Sequence, residues 1–259
     1  RVVIAARDEV KGQRVAREIL EKHPSADVEF AQVDMADYAS VAEFAETIAS
    51  RFDQVDRLIL NAGLFTSSIR KNDAGHEYMF AATHMGHFLL THKLMPLLKR
   101  SDDPRLIVTS SVAHWVGNIL DFNATITSPP RGDRFLFKQF LLYGRSKLAN
   151  ILFVNGLEKH LKDSNVKVFS FHPGGVKTEF YRQFPDLFVK LFFPFLISER
   201  KGADTQIFLA TDDSKSRNGG YWCRRKPGIR SRSSRSEKLT DDLWDFSKEV
   251  FGISTFGES

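Results

Sequence analysis

The order of apolar segments predicts a doubly wound α/β fold, a parallel sheet with helices packed on both faces. Three observations carry this expectation. Short apolar runs rich in β-branched residues alternate with amphipathic segments of helical period along most of the chain. The runs are too uniformly apolar for a sheet with one wet face, and suit strands covered on both sides. Small, polar or charged residues follow the runs, at the carboxyl ends where such sheets bind ligands. The 259 residues, 42% of them hydrophobic, can bury the core of one domain spanning 1–259.

Val2-Val3-Ile4-Ala5 is the first strand, and the segment from Lys11 to Lys22 is the helix after it, with Val15, Ile19 and Leu20 at helical spacing. Val28 to Val33 forms the next strand. Ser40 to Phe52 forms the next helix through Val41, Phe44, Ala45, Ile48 and Phe52. Leu58-Ile59-Leu60 is a strand, Asp73 to Lys99 a long helix, and Leu106-Ile107-Val108 a strand. Tyr143 to Leu161 is a helix through Leu148, Ile151, Leu152 and Leu157, and Val166 to Phe171 a strand.

Composition excludes several classes. Cys223 is the only cysteine, so neither an internal disulfide nor a cysteine-type zinc site can form, and a reducing, cytoplasmic or cytosol-facing setting is expected. The net charge of +5 is concentrated in the segment 224–236, which holds Arg224, Arg225, Lys226, Arg230, Arg232 and Arg235 and reads as a solvated, mobile basic loop. That stretch has no aromatic residue after Trp222, so nucleic-acid binding is not expected. No uncharged apolar run reaches the length of a membrane span; Phe184 to Ile197 comes nearest and is broken by Pro185, Lys190 and Pro194. Any targeting segment is expected to lie outside a sequence that opens at Arg1.

Tyr143-Gly144-Arg145-Ser146-Lys147 places a phenol and an ammonium four residues apart, on one face of a helix. A lysine charge beside a tyrosine favours the phenolate, which otherwise forms only near pH ~10. Such a pair suits proton exchange with an alcohol or carbonyl oxygen. Alone it is weak evidence, since solvated helices produce it by chance. The strand ends strengthen it: Arg7 follows the first strand, Asp34 the second, Asn61-Ala62-Gly63 the third, Ser110-Ser111 the fourth and His172-Pro173-Gly174-Gly175 the fifth. His84, His87, His114 and His172 invite a metal reading, but no acidic partner completes a ligand set at recognisable spacing, and no metal is expected.

In this order Ala5-Ala6-Arg7-Asp8, Asp34, Leu60-Asn61-Ala62-Gly63, Gly86-His87-Phe88-Leu89-Leu90-Thr91, Ser110-Ser111-Val112-Ala113-His114, Tyr143 to Phe153 and His172-Pro173-Gly174 resemble the short-chain dehydrogenase/reductase family. The likeness is to its retinol dehydrogenase and WW-domain oxidoreductase groups, over nearly the whole chain. It implies a Rossmann-like sheet and an oxidoreductase that moves hydride between a nicotinamide cofactor and an alcohol or carbonyl. Tyr143 would be the acid/base, and Lys147 would lower its pKa and bond the nicotinamide ribose. Ser111 would hold the substrate oxygen, with Ser110 as a rival for that role. Asn61, Ala62 and Gly63 would lie against the adenosine ribose, and Asp34 would accept from the adenine amino group. Pro173, Val176 and Thr178 would meet the nicotinamide carboxamide and the phosphates.

Arg7 stands where an acidic residue would favour NAD, and its charge matches a 2′-phosphate, so NADP(H) is the expected cofactor; Asp8 beside it counts the other way. The resemblance also places a substrate lid at 179–200. Its Phe- and Leu-rich sequence suits a lipophilic small molecule such as a retinoid, steroid or aliphatic aldehyde, and could rest on a membrane surface; a buried connecting helix is the alternative. Helices on the faces of such folds often pair between subunits, so an oligomer is compatible with the sequence.

Two departures stand out. Thr83 occupies the position of the family's relay asparagine, and the glycine-rich turn of the pyrophosphate site is absent. The chain opens at what corresponds to the family's second strand, so the sheet is expected to lack the first strand and first helix. These departures, with the long span between Ser111 and Tyr143, leave open a second reading, a non-catalytic binding or scaffold protein that keeps the fold.

Overall fold

A computed structural model describes residues 1–66, 68–118, 121–127, 135–176, 196–212 and 219–258. β1 (Val2–Ala6) pairs in parallel with β2 (Val28–Gln32) through the crossover helix α1 (Glu9–Lys22). β3 (Arg57–Leu60), β4 (Arg105–Thr109), β5 (Lys167–His172) and β6 (Tyr221–Cys223) run parallel in that order, and β7 (Lys226–Pro227) closes the far edge antiparallel. No described strand pairs with the free edge of β1 or of β3. The sheet is therefore divided where the resemblance removes a strand.

Helices tie the two parts together. α2 (Tyr38–Arg51) buries Val41, Phe44, Ala45 and Ile48 against Leu89, Leu90 and Leu97 of α4 (Gly86–Lys99) and against Leu58 and Leu60 of β3. Contact at Gly86 is backbone to backbone: a Cβ there would stand 2.1 Å from the Met35 carbonyl oxygen, so only glycine lets α4 approach the β2–α2 connection. The Asn72 amide donates to the Ala36 carbonyl at 2.8 Å across the same junction.

Strand register in the larger part is fixed at the end away from the ligand face. The Asp103 carboxylate accepts from Arg57 at 2.9 Å, Arg105 at 2.7 Å and Lys167 at 2.6 Å, the first residues of β3, β4 and β5. Bonds from Arg105 and then Lys167 hold this carboxyl well below the usual carboxylate range.

Several elements differ from expectation. α1 starts at Glu9, two residues early, because Asp8 caps it by accepting from the Lys11 amide at 2.9 Å. Gly12 lies within α1 because the Phe30 ring occupies the space of a side chain there. The helix expected from Asp73 begins at α3 (Tyr78–Phe80), capped by the buried Glu77 carboxylate, after a turn through Gly75 at φ 78°. It then widens into a π-helix over Ala81–Met85 before α4. α6 (Phe135–His160) starts well before Tyr143.

Past β5 the chain adds α7 (Glu199–Thr211), β6, β7 and α8 (Glu237–Val250), none of them expected, while α5 (Phe122–Thr127) fills part of the span between β4 and α6. The segment 224–236, read as a mobile basic loop, is built into the fold. Arg224 and Arg225 turn the β6–β7 hairpin at φ 52° and 59°, and Ser231 and Ser234 are buried. Among the described residues no helix is long and apolar enough to cross a membrane.

Candidate active site

The carboxyl ends of β3 and β4 meet the middle of α6. Lys147 reaches back under β4, where its Nζ donates to the Thr109 carbonyl at 3.0 Å; its side chain is almost wholly buried. Burial pushes the ammonium down to about 7. Nζ lies 5.6 Å from the centre of the Tyr143 ring, which is half-buried and packs edge-on to Phe65. The expected pair therefore shares one site.

Ser110 and Ser111 part company. The buried Ser110 hydroxyl donates to the Lys147 carbonyl at 2.7 Å, fastening α6 to the end of β4. Ser111 is half-buried and starts the 3-10 turn Val112–Trp115, its Oγ accepting from the Ala113 amide at 3.2 Å. That bond uses one lone pair and leaves the hydroxyl proton available as a donor. The turn lies directly on α6: a Cβ on Gly144 would stand 2.7 Å from the Ala113 carbonyl oxygen, and one on Gly117 2.3 Å from the Gly144 carbonyl oxygen. With no side chain between them, Ser111 and Tyr143 sit on two tightly packed elements.

Asn61, Ala62 and Gly63 are exposed at the end of β3. The Asn61 side-chain oxygen accepts from the Thr109 hydroxyl at 3.0 Å. A Cβ at Gly63 would stand 2.9 Å from Lys147 Nζ, so a side chain there would have to displace the lysine tip. Thr83, in the π-helix, is also near Gly63, and its buried hydroxyl has no hydrogen-bond partner among the described residues. His84 and His87, one and four residues along, are buried and pushed down to about 3 by desolvation.

Arg7 and Asp34 stand together at the ends of β1 and β2. Arg7 Nη1 donates to the Tyr78 hydroxyl at 2.6 Å and lies 3.8 Å from Asp34 Oδ2, with 58% of the arginine side chain exposed. The other Asp34 oxygen caps a turn by accepting from the Ala36 amide at 2.9 Å. A cavity of about 480 Å³ beside them is lined by Gln32, Glu43 and Thr47, among others. It lies at the Arg7 end of the ligand face, away from Tyr143.

Pro173 and Val176 follow β5 and are half-buried. Gly174 takes φ 95°, and Val176 pairs with Ile197 and packs on Gly202. Thr178 lies outside the described residues, as does the lid from 179 to 195. Among the described residues no group of His, Cys, Asp and Glu converges on a metal position. Sequence reasoning gave Asn150 and His114 no role beyond their place in the motifs, but the Asn150 amide shares the Thr109 carbonyl with Lys147 at 3.0 Å. Asn150 lies one helical turn beyond Lys147, the signal that could have found it.

A family model described as short chain dehydrogenase matches residues 1–121. Retinol dehydrogenase 11 of Mus musculus is 35% identical over 256 residues, covering 98% of this chain and 79% of that protein. The WW domain-containing oxidoreductase of Gallus gallus is 33% identical, covering 96% and 61%. A solved structure titled as a putative uncharacterized protein from Mycobacterium Paratuberculosis superposes with a TM-score of 0.76 at 26% identity, covering 100% of this chain and 85% of that one. The carbonyl reductase from chicken fatty liver, TM-score 0.63 at 19% identity over 88% and 86%, shares the fold. With the divided parallel sheet and its order of strand-end residues, these likenesses make the chain an oxidoreductase of the short-chain dehydrogenase/reductase family.

Proposed function

We propose that this protein interconverts a lipophilic alcohol and its aldehyde or ketone, with Tyr143 as the acid/base and NADP(H) as the cofactor. The observation that carries the reading is that Lys147 Nζ lies 5.6 Å from the centre of the Tyr143 ring while the 3-10 turn started by Ser111 packs directly on α6 at Gly144. The names of the retinol dehydrogenase relatives support a retinoid-like or otherwise lipophilic substrate.

The family uses nicotinamide cofactors, and the residues present fit the two ends of one. Gly63 leaves the space over Lys147 Nζ free of a side chain, and the half-exposed Arg7 keeps donors free for an anionic group. Asp8, which on sequence alone argued for NAD, is committed to capping α1. Asn61, Ala62 and Asp34 would line the adenosine side, Gly63 the stretch toward Lys147, and Pro173, Val176 and Thr178 the carboxamide end. When bound, the cofactor supplies or accepts the hydride.

The chain's own residues handle the proton. Ser111 donates its hydroxyl proton to the substrate oxygen and so orients the reacting carbon. Tyr143 gives a proton to that oxygen as the alcohol forms and removes it in the reverse direction. While it is protonated, Lys147 favours the phenolate in this exchange. Thr83 brings to the relay position one hydroxyl in place of an amide's carbonyl and amino groups.

The test is NADPH consumption by the full chain with retinal and with simple aldehydes. Turnover is expected, and Tyr143→Phe should lower it by about 10³-fold, within the range for loss of a general acid. Turnover that survives Tyr143→Phe unchanged would contradict the assignment.

A further inference from the structure

We infer that His114 is a positioning residue that fixes Ser111 relative to the helix carrying Tyr143 and Lys147, an inference that rests on the proposed role of Ser111. His114 is fully buried, and both of its ring nitrogens are engaged by main chain. Nδ1 lies 2.7 Å from the Ser111 carbonyl oxygen, and Nε2 lies 3.2 Å from the Ser231 amide nitrogen. A carbonyl can only accept and an amide N–H can only donate, so the partners dictate the tautomer: the proton sits on Nδ1 and Nε2 is the acceptor. Burial lowers the ring's pKa, which favours the neutral form this arrangement requires.

The Ser111 peptide is thereby gripped from three sides. Its carbonyl accepts from His114 Nδ1 and from the His114 main-chain amide at 3.1 Å, and its Oγ accepts from the Ala113 amide. The hydroxyl proton is the donor left for a substrate oxygen. Across the ring, the chain of bonds returns to α6. Ser231 accepts through its carbonyl from the Ser234 hydroxyl at 2.9 Å, and the Ser234 carbonyl accepts from Asn155 of α6 at 2.9 Å. Arg230 beside Ser231 donates to the Asn155 side-chain oxygen at 3.1 Å. Ser111, His114, Ser231, Ser234 and Asn155 therefore form a closed strut that joins the substrate-orienting serine to the helix of the acid/base. The Tyr221 ring packs edge-on to His114, with ring centres 5.0 Å apart.

Steady-state kinetics of the full chain with NADPH and retinal, together with calorimetric NADPH affinity, tests the strut. Asparagine can place an amide N–H near the Nδ1 position, and glutamine places its amide near Nε2, so the two substitutions separate the bonds. His114→Gln and His114→Leu should lower kcat by about 10- to 100-fold, the cost of misplacing a reacting group. KM for retinal and the NADPH Kd should stay within about twofold, a split that general loss of structure would not give. His114→Asn keeps the bond to Ser111 but loses the one to Ser231, so it too should lower kcat by about 10-fold. Wild-type kcat in His114→Asn, or in His114→Leu beside a collapsed Ser111→Ala, overturns the strut while leaving the role of Ser111 intact. Wild-type kcat in Ser111→Ala contradicts the role of Ser111 itself, and the strut with it.

Discussion

In the five-stranded part of the sheet β4 is buried from end to end, and the first residues of β3, β4 and β5 are locked on Asp103. In the two-stranded part no residue of β1 or β2 is fully buried, Val2 is 57% exposed, and the Arg1–Asp27 pair that closes it is a surface contact. The proposed chemistry divides along the same line. Proton transfer needs a rigid, water-poor site, and Tyr143, Lys147 and Ser111 stand over the buried strands. Recognition of a phosphate by charge tolerates solvent, and Arg7 and Asp34 stand on the loosely covered pair. The difference teaches that α2 and α4, rather than continuous strand pairing, bring the two functions to one face.

The largest expected effect breaks that connection. Gly86→Ala forces a Cβ to 2.1 Å from the Met35 carbonyl oxygen, a clash with main chain that no rotamer relieves. Urea unfolding should show a loss of about 3 kcal/mol, the upper part of the range for overpacking. Amides of β1 and β2 should lose exchange protection ahead of those in β4 and β5.

A second effect sharpens the contrast in burial. With the folded Lys147 ammonium pushed down to about 7 and an unfolded lysine titrating near ~10.4, both states carry the proton below about pH 7. Between those values only the unfolded chain holds it, so stability rises with pH through that window. Lys147→Met removes this rise. Denaturation midpoints in mildly acidic and mildly alkaline buffer should therefore favour the variant most on the acid side, with the gap closing as pH increases.

The sequence made the strand order legible because strands buried on both faces leave continuous apolar runs, as in Leu106-Ile107-Val108. Ligand-type residues after those runs marked the positions from which the candidate site is proposed. Short or polar elements were not legible. Tyr221-Trp222-Cys223 is too brief to show a period, and α8 buries Leu243 and Trp244 from a sequence rich in acid and lysine. The π-helix over Ala81–Met85 has the same residue pattern as the α-helix it interrupts. Ser110 and Ser111 could be separated only by their partners, a carbonyl of α6 for one and a turn amide for the other. His114 stood in the Ser110–His114 motif without a role, because both atoms it bonds are main-chain atoms that a side-chain pattern does not reveal.

The division of labour between the two parts is tested most directly by calorimetric titration of NADPH and NADH into wild type, Arg7→Ala and Tyr143→Phe. The prediction is that Arg7→Ala weakens NADPH by about tenfold, the loss of one charge-assisted contact, while NADH changes by less than about twofold. Tyr143→Phe should leave both affinities within about twofold. Equal weakening of NADPH and NADH by Arg7→Ala would contradict the account, because it would mean that the two-stranded part does not read the 2′-phosphate.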